Sequence, residues 1–303
     1  MTAADPLALA ALGWGPAWDA ARAAADPDGR WQPVRIAAEH RGAYHALGPG
    51  GVAWVELPGK TFHTADDKRA LPTVGDWVLV ERWPAAVAGG GAGVVRAILP
   101  RRGFLVRRAA GEATLPQPVA ANIDVGLVVT SANADLSLAR VDRYLALLGD
   151  GGIAPVLVLS KVDLVADPAP LRAQLAGRGA RVVEVSVVTG AGVAELAALG
   201  GAGATLILLG SSGVGKSSLL NAIAGTAQRT RGLRGDARGR HTTTRRELFV
   251  GGTGALWIDT PGMRELGHWI EEDADADADA AFADIAALAA GCRFRDCGHR
   301  DEP

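Results

Sequence analysis

The feature that most constrains the fold of this chain is the octapeptide GSSGVGKS, which occupies Gly210–Ser217 directly after the apolar run TLILL. Two glycines frame four residues, and a lysine and a serine close the pattern, in the strand-then-helix setting that a P-loop requires. Backbone N–H groups of such a loop surround an anionic phosphate chain, and the N-terminus of the following helix adds partial positive charge. The sequence therefore predicts a phosphate-binding loop on an α/β sheet.

The residues of this loop have separate expected roles. Lys216 should reach the outer phosphates, and Ser217 should place its hydroxyl on a magnesium ion that bridges them. A glycine-rich turn that binds nothing is the alternative, and the full agreement of pattern and context argues against it. The upstream tripeptide Gly59-Lys60-Thr61 is not a second P-loop, because Trp54 stands where the first glycine is needed. The other positions expected to bind the nucleotide are Gly210, Ser211, Ser212, Gly213, Val214, Gly215 and Ser218.

Length and composition narrow the class of protein. A chain of 303 residues suggests two or three folded units. The formal net charge of -2 gives no overall basic field, so any contact with RNA must come from local patches. The two cysteines lie close together near the C-terminus, which favours metal binding over a disulfide and fits a reducing compartment. The uncharged run 196–215 is too rich in glycine for a membrane span, so we expect a soluble cytoplasmic protein.

Changes in residue composition and hydrophobic pattern along the chain indicate four segments. An alanine-rich N-terminal extension is followed by short β-like runs with turn clusters between them, which predict a small β-barrel or sandwich. Buried strands then alternate with amphipathic helices, which predicts a parallel sheet covered on both faces, with its ligand crevice at the carboxyl ends of the strands. A short C-terminal segment carries both cysteines. The four segments are residues 1–30, 31–117, 118–270 and 271–303.

The tetrapeptide Ser160-Lys161-Val162-Asp163 follows a predicted buried strand and is close to Asn-Lys-x-Asp, the guanine-reading motif of GTPases. Asp163 can accept the two adjacent N–H groups of guanine, a pair that adenine does not offer. Lys161 should lay its alkyl stem over the base. Ser160 departs from the usual asparagine, which predicts a weaker hydrogen bond to the base or to the P-loop. A plain surface turn is the alternative for this tetrapeptide taken alone.

Two more loops complete the predicted nucleotide site. Ser186 and Val187 follow another strand, where GTPases carry the loop whose backbone contacts the guanine oxygen. In Asp259-Thr260-Pro261-Gly262, the aspartate should hold magnesium through water, and the Gly262 N–H should meet the γ-phosphate. A proline-containing turn is the alternative. Both guanine elements precede the P-loop, the reverse of the usual order, which indicates a circular permutation.

These features together resemble the ribosome small subunit-dependent GTPase A family. The resemblance rests on the permuted order, the preceding β-barrel, and the strings GRHTTT at 239–244, DTPGMRE at 259–265 and CRFRDCGH at 292–299. It implies a barrel of the oligonucleotide-binding (OB) type, a permuted GTPase domain and a zinc-binding C-terminal segment. It also implies GTP, GDP, Mg²⁺ and one Zn²⁺ as ligands. The implied activity is GTP hydrolysis in late maturation of the small ribosomal subunit, stimulated by that subunit and its rRNA, by a protein expected to be a monomer.

The resemblance also implies how water is activated. Met263 follows Gly262 where many GTPases keep a water-orienting glutamine, and a methionine side chain cannot hold a water. His241 is the family's alternative, since a neutral imidazole can orient the attacking water or accept its proton. A solvated loop histidine is the other interpretation. Thr243 is expected to ligate magnesium, with Thr242 as a close competitor.

The implied zinc ligands are Cys292, Cys297 and His299, whereas structural zinc is held by four. In the family a further cysteine follows the histidine by six residues, a position beyond Pro303. The segment is therefore interpreted as truncated, completed by another residue, or empty of metal.

Two arginine-rich stretches are candidate RNA contacts. One surrounds the predicted switch loop, and the other lies on the barrel around Phe104. Two functions remain as alternatives: a P-loop ATPase or kinase, and an RNA-binding module that uses nucleotide only as a conformational ligand. The arginines are Arg229, Arg231, Arg234, Arg238, Arg240, Arg245 and Arg246 in the first stretch, and Arg101, Arg102, Arg107 and Arg108 in the second.

Overall fold

The computed structural model describes residues 7–40, 42–59, 68–108, 116–133, 136–211, 213–224 and 246–259. Within these ranges the strands form one eleven-stranded sheet and one two-stranded ribbon. The barrel strands fall within residues 31–117 and the parallel strands within 118–270, while the segment boundaries themselves stay a prediction. In the described part of the chain, none of the helices combines the length and apolar character needed to cross a bilayer.

Five strands close into a small barrel, as the short β-like runs predicted. Their order is β1-β2-β3-β5-β4, and β4 pairs back onto β1. The β3–β5 pair is parallel and the other pairs are antiparallel, which is the arrangement of a five-stranded OB-type barrel. Helix α2, Trp83–Val87, connects the last two strands. The strands are β1 Gln32–His40, β2 Ala43–Gly48, β3 Gly51–Glu56, β4 Trp77–Glu81 and β5 Gly93–Ile98.

The N-terminal extension packs against this barrel. Helix α1, Pro16–Ala25, begins with a proline, which suits the first turn of a helix. The indole of Trp14 meets that of Trp77 edge to face, with ring centroids 4.8 Å apart, and Trp18 lies 6.3 Å from the same ring. The extension therefore has a structural role, since its tryptophans cover one side of the barrel.

A parallel sheet follows the barrel and matches the predicted alternation of strands and helices. Its order is β10-β9-β8-β11-β13 with every pair parallel, and β12 runs antiparallel beside β13. The strands are β8 Val125–Ser131, β9 Ala154–Ser160, β10 Arg181–Val185, β11 Thr205–Leu209, β12 Glu247–Val250 and β13 Leu256–Asp259. The helices are α3 Leu138–Asp150, α4 Ala169–Ala176, α5 Val193–Ala198 and α6 Lys216–Ala224.

Two features join the barrel to the parallel sheet, and the sequence predicted neither. Strand β1 of the barrel pairs with β12, where Ala38 faces Glu247, so the two sheets are continuous. The connecting segment forms a separate ribbon of β6 Leu105–Arg108 and β7 Pro116–Ala120. The β1–β12 pairing joins residues far apart in the chain, so local periodicity does not reveal it.

The side chain of Arg35 is fully buried where the N-terminal extension, the barrel and the parallel sheet meet. Its guanidinium donates to the carbonyls of Leu12, Gly75 and Asn122 and, at 2.7 Å, to the hydroxyl of Thr205, the first residue of β11. Burial lowers the pKa of Arg35 to about 10, against the opposing charges of Asp124 and Asp76. The group is therefore still charged at neutral pH, and its hydrogen bonds hold the three segments together.

Two of the arginines proposed as RNA contacts are engaged within the protein. Arg101 pairs with both carboxylate oxygens of the buried Asp76 at 2.7 and 2.8 Å, and its side chain is only 13% exposed. The guanidinium of Arg102 lies 5.2 Å from the ring of Trp18. The structure therefore does not support Arg101 as a free RNA-binding group, because its charge stabilises a buried carboxylate.

We predict that Arg35→Met lowers the free energy of unfolding by about 3–5 kcal/mol, because it leaves several buried carbonyls and Asp124 without their cation. Urea denaturation followed by tryptophan fluorescence measures this change. Arg96→Met is the matched control, since Arg96 on barrel strand β5 bonds, among the described residues, to the side chain of the partly exposed Glu81, and its loss should cost no more than about 1 kcal/mol. Equal effects of the two substitutions would contradict the assignment.

Candidate nucleotide-binding site

The carboxyl ends of the parallel strands bring the predicted loops to one edge of the sheet. Ser160 at the end of β9 pairs with Ser131 at the end of β8 and with Val185 at the end of β10. Strand β11 lies on the other side of β8, and Leu209 faces Val128 there. The loops that follow these strands therefore share one crevice, which is where ligands bind in open α/β sheets.

The P-loop wraps this edge closely enough to require glycine at its first position. Gly210 has a φ of +143°, and a Cβ there would lie 2.3 Å from the carbonyl oxygen of Val129 on β8. Any side chain would push the loop away from the sheet. Val214, by contrast, is buried and anchors the loop in the core beneath it. The sequence TLILLGSSGVGKS thus determines how closely the loop packs on strand β8 and where helix α6 begins.

Lys216 folds over the loop that it closes. Its ammonium donates to the carbonyls of Gly210 and Ser211, both at 2.6 Å. Burial lowers the pKa of Lys216 to about 8, and the nearby charge of Asp259 opposes this shift. The ammonium therefore lies against the backbone of the P-loop, and incoming phosphate oxygens can replace the two carbonyls as its partners.

The Ser160–Asp163 loop contacts the P-loop directly. The buried hydroxyl of Ser160 lies 2.7 Å from the carbonyl of Val214 and 3.0 Å from that of Thr130, and its single proton can serve one of them at a time. The ammonium of Lys161 donates to the carbonyl of Gly213 at 2.7 Å. Two loops whose contacting residues are 52 and 54 positions apart in the chain are therefore held together by side chains of the predicted guanine motif.

Asp163 and Ser186 lie on the loops that follow β9 and β10. Lys161 has a φ of +57°, an uncommon conformation for a residue with a side chain, and it leads into a short turn, Val162–Leu164, on which Asp163 is exposed. The buried Ser186 accepts a hydrogen bond at its hydroxyl from the Thr189 N–H, which shapes the next loop. Val187 is 41% exposed on that loop.

Two oxygen ligands predicted for magnesium lie beside the P-loop. Strand β13 pairs with β11 so that Ile258 faces Ile207, which places Asp259 at the same edge as Gly210. The Asp259 charge acts on Lys216, and Ser217 is exposed in the first turn of α6. A carboxylate and a hydroxyl are ligands that Mg²⁺ accepts, so the described residues fit that ion.

Several predicted site residues lie outside the described residues: Ser212, His241, Thr243 and Gly262 of the nucleotide site, and Cys292, Cys297 and His299 of the zinc site. Their assignments stay predictions from sequence. Within the ranges that the structure does describe, no three His, Cys, Asp or Glu side chains come together as a metal site.

Comparisons with known proteins agree with this geometry. The model of the RsgA GTPase family matches residues 98–269, which is more than half of the chain. The chain belongs to the RsgA GTPase family. It is 43% identical to a protein of Opitutus terrae over 280 residues, covering 89% of this chain and 76% of the relative. It is 39% identical to one of Streptomyces coelicolor over 305 residues, covering 98% and 79%. Both relatives are named small ribosomal subunit biogenesis GTPase RsgA.

Solved structures show the same architecture. The crystal structure of YjeQ from Thermotoga maritima matches with a TM-score of 0.56 and 26% identity, covering 90% of this chain and 88% of that one. The structure of YloQ, described as a circularly permuted GTPase, matches with a TM-score of 0.54 and 25% identity, covering 90% and 85%. This RsgA-family protein is thus a GTPase, and its fold is similar to that of both solved structures.

The main parts of the site that the sequence did not reveal are backbone acceptors. The carbonyls of Thr130, Gly213 and Val214 receive the Ser160 and Lys161 side chains, and carbonyls carry no residue-specific signal. These carbonyls could have been located only from the parallel pairing of β8 with β9 and β11. The Ser160 hydroxyl does reach the P-loop, at 2.7 Å from the Val214 carbonyl, whereas its contact with the base stays a prediction.

We predict that Ser160→Ala weakens GDP binding roughly five- to thirtyfold, since loss of one hydrogen bond leaves the buried Val214 carbonyl unpaired at a cost of about 1–2 kcal/mol. Titration with a fluorescent GDP analogue measures this. Ser131→Ala is the control, because Ser131 is equally buried on the paired strand but its hydroxyl bonds to Asn133. An equal loss of GDP affinity in both variants would mean that a general disturbance of the sheet edge, and not the Ser160 contact, weakens binding.

The low pKa of Lys216 predicts that GDP binding takes up protons near pH 8. Bound phosphates favour the ammonium and raise its pKa, so affinity should fall as pH rises above about 8, by up to about tenfold per unit. Calorimetry in two buffers of different ionisation enthalpy measures the uptake. Lys216→Arg should show a flatter profile between about pH 7 and pH 9, because a guanidinium stays charged there. A flat profile for the parent would contradict the assignment.

Proposed function

We propose that this GTPase is a late assembly factor of the small ribosomal subunit, and that contact with the subunit stimulates its hydrolysis of GTP. The observation that carries the proposal is the direct contact between the guanine motif and the P-loop, in a chain whose relatives are named for small-subunit biogenesis. We expect it to act in the cytoplasm as a monomer.

Selection of guanine is assigned to Asp163. The Ser160 and Lys161 bonds fix the start of its loop against the phosphate site, and the exposed Asp163 follows two residues later. A carboxylate there accepts the imino and amino N–H groups of guanine together. Adenine would leave it unpaired, and a mismatch of this kind can cost about 10⁴-fold in discrimination. The Ser186 and Val187 backbone is proposed to meet the guanine oxygen.

Hydrolysis is proposed to depend on groups around the terminal phosphate. Lys216 exchanges its carbonyl partners for phosphate oxygens, and the Gly262 N–H donates to the γ-phosphate. Ser217, Thr243 and Asp259 would hold magnesium, which neutralises charge on the phosphates when bound. His241 is assigned to orient the attacking water and accept its proton, since Met263 cannot.

Contact with rRNA is assigned to the arginines near the switch loop, because they lie beside the residues that respond to nucleotide. Of this group the structure describes Arg246, which donates to the carbonyl of Pro118 at 2.9 Å and so links the start of β12 to β7. An RNA phosphate bound next to this point would act close to His241 and Thr243 in the chain. The C-terminal residues Cys292, Cys297 and His299 are proposed to hold zinc.

We predict that small ribosomal subunits increase phosphate release from GTP at least about tenfold and leave ATP unhydrolysed. His241→Ala should lower the stimulated rate by about 10²–10⁴, the range for loss of a general base. Release of inorganic phosphate, with and without subunits, measures both effects.

The GDP affinity of His241→Ala serves as the control, and it should stay within about twofold of the parent if His241 acts on water and not on nucleotide binding. Large ribosomal subunits at the same concentration test which subunit stimulates. Equal stimulation by the two subunits, or an unchanged rate in His241→Ala, would refute the corresponding assignment.

A further inference from the structure

The hydroxyl of Ser160 lies between two carbonyls of the protein itself. Its oxygen is 2.7 Å from the carbonyl of Val214 in the P-loop and 3.0 Å from that of Thr130 on β8. The residue is only 5% exposed at the end of β9. Both of these hydrogen-bonded neighbours, which come from the described part of the chain, are acceptors. The one proton of the hydroxyl is therefore already used within the protein.

The edge of guanine that carries N7 offers only acceptors. N7 and O6 lie side by side there, and neither has a proton to donate. A hydroxyl can bind such an edge only by donating, and Ser160 has no second proton for it. Transfer of its proton to N7 would give up the bond that joins this loop to the P-loop and would leave a buried carbonyl without a partner. The protein contact and the base contact thus exclude each other.

An asparagine at this position, as in the usual guanine motif, has a larger capacity. Its amide carries two protons, so it can donate to the P-loop and to a base acceptor at the same time. Serine has one proton for the same two tasks. The sequence was compatible with a weaker bond either to the base or to the P-loop, and the short distance between Ser160 and Val214 shows that the P-loop contact is the one retained.

We infer that Ser160 leaves N7 of the bound guanine without a side-chain hydrogen bond, because its hydroxyl serves the P-loop alone. The substrates of this GTPase then include guanine nucleotides in which carbon replaces N7. Selection of guanine over adenine is not reduced, since adenine carries the same acceptor at N7 and a contact there cannot separate the two bases. The inference rests on the proposed function, which holds guanine against this loop through Asp163.

Competition of GDP and 7-deaza-GDP against a fluorescent GDP analogue tests the inference. The parent should bind the two nucleotides within about twofold of each other, since N7 has no partner to lose. Ser160→Ala should weaken the binding of both by the same factor, because the missing hydroxyl served only the P-loop. Ser160→Asn should bind GDP about fivefold more tightly than 7-deaza-GDP, since the second amide proton is available to N7.

A loss of about fivefold or more for 7-deaza-GDP in the parent would overturn the inference. Disappearance of that loss in Ser160→Ala would then identify the hydroxyl as the donor to N7. Equal binding of the two nucleotides by a folded Ser160→Asn would also overturn it, because the residue type at this position would not decide how N7 is recognised. Thermal melting shows whether each variant is folded, and the parent titrations decide without any variant.

Inosine diphosphate (IDP) separates this inference from the proposed function. It lacks the exocyclic amine assigned to Asp163 but keeps N7 and O6, so it should bind the parent at least about tenfold more weakly than GDP. Equal binding of IDP and GDP would refute the reading of guanine by Asp163, while the comparison of 7-deaza-GDP between the parent and Ser160→Asn would still decide the role of Ser160. Weak binding of both analogues by the parent would support Asp163 and refute the inference.

Discussion

The arrangement of this molecule depends on one buried charge. Arg35 lies on a barrel strand, yet its hydrogen bonds go to the N-terminal extension, to the barrel and to the first residue of the P-loop strand. A guanidinium removed from water must keep its partners, because an unpaired buried charge costs several kcal/mol, on the order of 3–5. The three segments therefore cannot separate without exposing or abandoning that charge. The barrel is in this way held in register with the sheet that carries the nucleotide site.

Ser160 contacts the P-loop although it departs from the usual guanine motif. An asparagine has a longer reach than a serine, so the substitution predicted a weaker contact. In the structure, strand β9 ends beside the P-loop, and the Ser160 hydroxyl is already 2.7 Å from the Val214 carbonyl. The short side chain suffices because the sheet, through the parallel pairing of β8 with β9 and β11, has brought the two backbones together. The contact is thus a property of strand register more than of residue type.

Elements with a local signal were predictable from the sequence, and those that depend on distant partners were not. The parallel strands, their helices and the P-loop follow from apolar runs, glycines and helix starts close together in the chain. Nothing local distinguishes Arg35, which is buried, from Arg96, which is exposed, because the difference lies in carbonyls contributed by distant segments. The same reason explains Arg101, whose neighbours in sequence suggested RNA and whose partner in space is Asp76. The pairing of β1 with β12 likewise joins residues 38 and 247 without any pattern in either strand.

That pairing gives the barrel a direct connection to the nucleotide site. Reading across the strands, Trp54 faces His45, His45 faces Ala38, Ala38 faces Glu247, and Glu247 faces Asp259. At about 4.8 Å between strands, this row spans roughly 19 Å from an exposed indole to a predicted magnesium ligand. Strand β1 is anchored twice, by Arg35 to the start of β11 and by Ala38 to the start of β12. Strand β12 directly follows the segment containing His241 and Thr243 in the chain. The barrel and the strand that carries Asp259 are therefore joined by an unbroken row of paired backbones.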